Sequence, residues 1–191
     1  MPLILASSSP YRRQLLEKIN LKVETIAPNI DESARHGEKP SDLALRLSKS
    51  KALAVANQAN GLIIASDQVA CVNDVLLGKP GTATQAIAQL SLCSGQTVTF
   101  YTGLCLYNTE TQKMQSTVTP FHVTFRALTA HEITNYVALE SPLDCAGSFK
   151  SEGLGITLFE RMQGDDPNTL IGLPLIELCR MLRHEGINPL G

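Results

Sequence analysis

The sequence has no surplus of charge, no paired cysteines and no long apolar run, and each absence removes a class of function. Its 16 Lys and Arg against 18 Asp and Glu leave a formal net charge of −2. No global basic field draws DNA or an anionic membrane, so an anion has to be captured by a local cluster. The five cysteines (Cys71, Cys93, Cys105, Cys145 and Cys179) form no CxxC and share no ligand spacing with histidine. An odd set without a framework reads as reduced, mostly buried thiols in a cytoplasmic protein. Nothing approaches the roughly 18 consecutive apolar residues of a membrane span. The apolar run Pro2 to Ala6 is too short for a signal core, and arginines follow it instead of preceding it.

The common nucleotide and hydrolase signatures are missing as well. There is no GxxxxGK[ST] phosphate loop, no GxGxxG fingerprint, no HExxH and no GxSxG elbow. His36, His122, His131 and His184 show no metal spacing. No repeat, low-complexity tract or long linker divides the chain. What is present is an ordinary globular composition, 43% hydrophobic and 18% charged over 191 residues. That is enough for a substantial core in one large domain or two small lobes.

Leu3 to Ala6 reads as a buried strand ended by Ser7, Ser8 and Ser9. Ser9 is a good N-cap and Pro10 suits the first helical position, so a helix is expected through Leu15, Leu16 and Ile19. Val23 to Ile26 is expected as a second strand. A long helix opens at Pro40 or Ser41, and Leu62 to Ala65 forms a buried strand ending at Ser66-Asp67-Gln68. "VNDVLLGKPGT" reads as a hairpin and loop, and Thr82 caps a helix to about Cys93. Thr97 to Tyr107 and Thr117 to Phe125 are expected to pair antiparallel. Thr129 and Glu132 form a capping box for a helix to Leu139. "ITLFE" is expected as a strand, and Pro174 stands near the start of the last helix. Alternating strands and helices followed by an antiparallel section predict an α/β fold with a mixed sheet.

The strand, serine turn and helix start at the N-terminus suit an anion. Arg12 and Arg13 sit in the first helical turn, where the macrodipole disfavours cations unless an anion is bound. Ser7 and Ser9 add hydroxyl donors, and guanidinium forks match phosphate oxygens. Adjacent arginines on a helix are otherwise solvated charges. Asp67, at an expected strand end, reaches a ligand crevice or caps a turn. Glu32 and Lys51 are surface residues by default, and Lys79 is held in a restricted Gly-Lys-Pro loop.

The ordered set "LASSSPYRR", "IDES", "LSKSKA", "SDQV", "GKP", "YVALESPLDCAGSFKSEGLG" and "IGLPL" resembles the Maf family of nucleoside triphosphate pyrophosphatases over nearly the whole chain. The resemblance implies a single Maf-like domain over residues 1–191, with an elongated mixed sheet flanked by helices and an active-site cleft between two lobes. It implies hydrolysis of a nucleoside triphosphate to the monophosphate and diphosphate with a divalent cation such as Mg²⁺ or Mn²⁺. By matching positions, Ser7, Arg12, Arg13, Lys51 and Lys79 would bind substrate. Asp67 would be the proton acceptor, and Glu32 with Asp67 would hold the metal. The implied partner is a small nucleotide, not a nucleic acid or a membrane, and a homodimer is one arrangement open to the chain.

Many members of the family carry Arg after the Ser-Pro pair, Thr after the aspartate and Gln in the later glycine-rich loop. Here Tyr11, Gln68 and Glu152 stand at those places, which resembles the branch acting on 7-methyl-GTP. Methylation at N7 makes the guanine ring cationic, and a tyrosine face attracts such a ring by about 0.5–2 kcal/mol. A carboxylate such as Glu152 accepts from the base N–H groups while offsetting that charge. The competing readings are a dTTP/UTP pyrophosphatase and a non-catalytic nucleotide-binding regulator of cell division.

Overall fold

A computed structural model describes all 191 residues. The chain runs β1 (Leu3–Leu5), α1 (Pro10–Lys18), β2 (Glu24–Thr25), α2 (Pro40–Ala56), β3 (Leu62–Val72), β4 (Val75–Leu77) and α3 (Ala83–Cys93). It continues through β5 (Thr97–Asn108), β6 (Lys113–Phe125), α4 (Ala130–Glu140), a 3-10 helix (Leu154–Leu158), β7 (Phe159–Gln163), α5 (Asn168–Ile171) and α6 (Leu175–His184). The strands form one seven-stranded sheet in the order β2-β1-β3-β5-β6-β7, with β4 paired to β3. β1 runs parallel to β2 and β3, whereas β4 on β3 and β7 on β6 are antiparallel. The fold is therefore a mixed-sheet α/β structure, as the sequence predicts. No helix is long and apolar enough to cross a membrane.

Two compact units make up the chain. The first comprises Met1–Gln68, Thr102–Thr119 and Asp166–Gly191; the second comprises Val69–Tyr101 and Pro120–Asp165.

In the first unit the period-two pleat sorts the strands between two cores. Leu5, Leu62 and Ile64 bury against Leu15 and Leu16 of α1 and Leu178 and Leu182 of α6. Ile4, Ile63 and Ala65 bury with Ala52 and Val55 of α2. Both faces of these parallel strands are thus covered, which explains their unbroken apolar runs. At Gly103, in β5, a Cβ would lie 2.2 Å from the carbonyl oxygen of Ala44 in α2. Only glycine lets helix and strand backbones approach that closely.

In the second unit Phe149 packs edge-on against Phe100, Phe125 and Phe159, with ring centroids 5.4, 5.5 and 4.8 Å away. α3 packs on α4, and α4 on the 3-10 helix. Capping follows the sequence signals: Ser9 accepts from Arg12 N–H, Thr82 from Gln85 N–H, and Thr129 and Glu132 form the reciprocal box. Asn73 and Asp74 both take positive φ at the β3–β4 turn, as a tight hairpin requires.

Several element boundaries differ from the sequence reading, and β6 begins at Lys113 instead of Thr117. β3 does not end at Ser66-Asp67-Gln68 but runs on to Val72, because each polar side chain finds a partner and the ladder continues. The strand expected over "ITLFE" begins only at Phe159, since Leu154–Leu158 coils as a 3-10 helix. There Gly153 and Gly155 N–H both donate to the Lys150 carbonyl, and Leu154 N–H donates to Glu140. β2 is shorter than Val23 to Ile26 and spans Glu24–Thr25.

Gly103→Ala is expected to lower the stability of the protein by about 2–3 kcal/mol, because the added methyl meets backbone and cannot be absorbed by a rotamer change. Urea unfolding of the variant measures this; an unchanged midpoint would show that α2 and β5 can separate freely.

Candidate active site

The alternation of β3 places consecutive polar residues on opposite faces of the sheet. Asp67 follows Ile63 and Ala65 toward α2, where the Lys51 ammonium lies 2.6 Å from Asp67 Oδ1. Lys51 recurs at helical spacing after Leu47 and before Val55, so its stem belongs to the buried stripe of α2. The same ammonium lies 2.8 Å from Glu32 Oε1. Lys51 and Asp67 are buried, whereas the Glu32 side chain is 58% exposed. One cation thus holds two acids from different segments together.

The loop that carries Glu32 is tied to α2 by Arg46. Its Nε and Nη2 donate to the two carboxylate oxygens of Glu38 at 2.6 and 2.8 Å, and Nη2 also donates to the Ser33 carbonyl at 2.9 Å. The Arg46 fork, then the Arg35 backbone N–H, lower the Glu38 pKa from 4.5 to about 2. Neither Arg46 nor Glu38 stands out in the sequence, where both read as ordinary surface charges.

α1 supplies the second cation. Arg12 is half-buried; its Nε donates to the Gly172 carbonyl at 2.9 Å and its Nη1 to Ser7 Oγ at 3.4 Å. Burial lowers the Arg12 pKa, while the charges of Asp67 and Glu32 raise it. Arg12, Asp67, Glu32 and Lys51 therefore share one electrostatic neighbourhood. Ser7 is buried and also accepts from Ser9 N–H at 3.1 Å, which leaves its own hydroxyl proton to donate. Gly172 caps α5 with φ 118°, and a Cβ there would lie 3.2 Å from Arg12 Nε. Its carbonyl also accepts from Ser66 Oγ at 2.8 Å.

Arg13 points elsewhere: its Nε pairs with Glu17 at 2.9 Å, one turn along the exposed face of α1. Tyr11 is half-buried beside Arg12 in sequence. Gln68 is half-buried and bonds α5 from β3. Lys79 and Glu152 belong to the second unit. Lys79 is exposed in the loop after β4, and Glu152 is exposed just before the 3-10 helix, accepting from Ser151 Oγ at 3.2 Å. Ser66, Thr102, Thr169 and Gly172 complete the surroundings of Arg12 and Gln68 within the first unit, and sequence reasoning missed them. Ser66 is the one with a visible signal, a polar residue inside an apolar strand.

All five cysteines are free thiols, and burial pushes Cys93 and Cys105 up to about 12, which keeps them protonated. They take no part in the cluster.

The mixed-sheet α/β fold that carries this cluster is one that solved structures share. The chain resembles the Ham1 protein of Staphylococcus aureus (TM-score 0.56, 13% identity, 97% of this chain and 100% of that one). It resembles equally a HAM1 protein of Coxiella burnetii (TM-score 0.54, 15% identity, 96% and 99% covered). At those identities the likeness is one of fold. A family model described as Maf-like protein matches residues 2–185, and the chain belongs to that family. It is 55% identical over 193 aligned residues to a 7-methyl-GTP pyrophosphatase of Idiomarina loihiensis, covering 100% of this chain and 98% of the relative.

Two outcomes follow from the ion pairs. Lys51→Met is expected to cost about 3–5 kcal/mol in urea unfolding at pH 7, because it strands Asp67 as a buried, uncompensated charge. A loss below about 1 kcal/mol would mean that water reaches Asp67. Glu38 has a depressed folded pKa, so its tie stabilises fully above its unfolded pKa of 4.5 and is lost as pH falls toward about 2. The stability gap between wild type and Glu38→Gln should then be constant at neutral pH and close across that acid window. A pH-independent gap would remove the carboxylate from the account.

Proposed function

We propose that the protein hydrolyses a nucleoside triphosphate to the monophosphate and diphosphate, with 7-methyl-GTP as the preferred substrate. The observation that carries this reading is the convergence of Lys51, Arg12, Glu32 and Asp67 in the first unit. The full-length similarity to a 7-methyl-GTP pyrophosphatase supports the choice of substrate.

In this reading Asp67 accepts a proton from the water attacking the α-phosphorus. As the water oxygen bonds to that phosphorus, the bond to the α,β-bridging oxygen breaks and charge collects on the departing diphosphate. Arg12, oriented through Nε, keeps N–H groups to meet that charge, and Ser7 has a hydroxyl proton for a phosphate oxygen. Lys51 adds positive charge beside the acids. Arg13 joins only by leaving Glu17, and an exposed helix pair of that kind holds it by about 0.3–0.5 kcal/mol. Lys79 is the phosphate contact we assign to the second unit.

Two carboxylate oxygens, Glu32 Oε1 and Asp67 Oδ1, already converge on one cationic nitrogen. Hard oxygen donors in that number fit Mg²⁺ or Mn²⁺, which complete their shell with water and substrate phosphates. Glu32 and Asp67 would hold the ion, and it would supply Lewis-acid stabilisation of phosphate charge. Tyr11 and Glu152 are the proposed base contacts, an aromatic face and a carboxylate for a cationic purine.

The decisive measurement is diphosphate release across a panel of 7-methyl-GTP, GTP, UTP and dTTP with Mg²⁺ or Mn²⁺ present. Preference for 7-methyl-GTP is expected, and preference for UTP would overturn the assignment of Tyr11 and Glu152. Asp67→Asn should abolish hydrolysis while nucleotide binding persists. A wild type that binds and never cleaves would instead be a regulator. Glu152→Gln should reduce the preference for 7-methyl-GTP over GTP more than it slows turnover of either.

A further inference from the structure

Glu140 is the last residue of α4, where the helix macrodipole disfavours an acid. Its carboxylate is used outside the helix. Oε2 accepts the Leu154 N–H at 2.8 Å, the first N–H of the 3-10 helix. The residue before that helix is Gly153, which has no side chain to cap it. Gly153 also leaves the room: a Cβ there would lie 2.8 Å from Oε2 and 2.9 Å from Oε1 of Glu140. One turn earlier on the same face of α4, the hydroxyl of the buried Tyr136 accepts the Lys150 N–H at 3.1 Å. The Lys150 carbonyl in turn accepts Gly153 N–H at 3.2 Å and Gly155 N–H at 3.1 Å. α4 therefore grips both ends of the segment 150–154.

Glu152 stands within that segment. It is exposed, and its carboxylate accepts one hydrogen bond, from the adjacent Ser151 Oγ at 3.2 Å. A bond to a sequence neighbour travels with the chain and fixes no direction relative to the rest of the unit. The aim of the acid therefore comes from the backbone that carries it. We infer that Glu140 is a positioning residue, which presents the Glu152 carboxylate to the base by holding Leu154 N–H. A segment ordered before its ligand arrives loses less freedom on binding, so the tie favours selection as well as shape. The inference rests on Glu152 being a base contact, as proposed above.

Nucleoside monophosphates carry no anhydride to cleave, so calorimetric binding of 7-methyl-GMP and GMP reads base selection without turnover. In Glu140→Met, which removes the acceptor at similar length, the affinity ratio of 7-methyl-GMP over GMP should fall about fivefold. Glu140→Gln keeps an acceptor oxygen and should hold the ratio within about twofold of wild type. A through-space effect of the Glu140 charge on a cationic base would be lost equally in both variants, and that result would overturn the inference. The loss in Glu140→Met should also vanish in a Glu152→Gln background, and additive losses would count against it. Gly153→Ala, which crowds the Glu140 carboxylate off Leu154, should lower the ratio in the same direction and serves if Glu140→Met does not fold. A ratio unchanged in both while Glu152→Gln lowers it would overturn the inference and leave the base contact in place. An unchanged ratio in Glu152→Gln would sink the base contact and the inference with it. A protein that hydrolyses no triphosphate yet shows the expected ratios would sink the proposed activity alone.

Discussion

The Lys51 ammonium is the constraint on which the site depends. Two carboxylates facing each other without it would repel, and Asp67, inside a buried strand, would lose its hydration for nothing in return. Its cost is met by geometry: 2.6 Å to a buried oxygen and 2.8 Å to a more exposed one. The asymmetry matters chemically. Asp67 is held rigidly on β3, whereas Glu32 sits on a loop whose place is set from outside by the Arg46 fork on Glu38 and Ser33. In the proposed reaction this amounts to a fixed proton acceptor with an adjustable partner, which suits the admission of a bulky anion.

Much of the fold is legible in the sequence because its signals are local. Serine and threonine caps, the Thr129–Glu132 box, the Asn73-Asp74 turn and apolar runs each act over a few residues. The boundaries that escaped depend on distant partners. A Ser-Asp-Gln triplet normally ends a buried strand, but here Gly172, Lys51 and the α5 carbonyls meet its three side chains, and β3 continues. "ITLFE" looks like a strand until Glu140 and the Lys150 carbonyl bind the N–H groups just before it.

The same distinction governs the site. Asp67 and Lys51 are recognisable as candidates through family resemblance, but nothing local says that a lysine on α2 is buried. Arg12 and Arg13 are equivalent in the sequence and opposite in the structure. A helix turns about 100° per residue, so adjacent side chains set out in different directions. Arg12 meets Gly172 and Ser7, while Arg13 meets Glu17 one turn along its own helix. Ser66 and Gly172 gain their importance from a bond spanning 106 positions, which no short motif encodes.

A strand is an economical carrier for such a site. Successive residues of β3 address different layers, so Asp67 joins the α2 side and Ser66 and Gln68 join the side of α1 and α5. A loop could present the same groups, but it would need separate restraints for each. On β3 the ladder supplies the restraint, and the side chains are free to hold other segments in turn. The polar residues are then the bolts of the first unit as well as neighbours of the proposed site. Removing one leaves a buried donor or acceptor unpaired as well as an altered site. Activity and stability should therefore fall together along β3. They should separate at exposed positions such as Arg13, whose one partner lies on its own helix face.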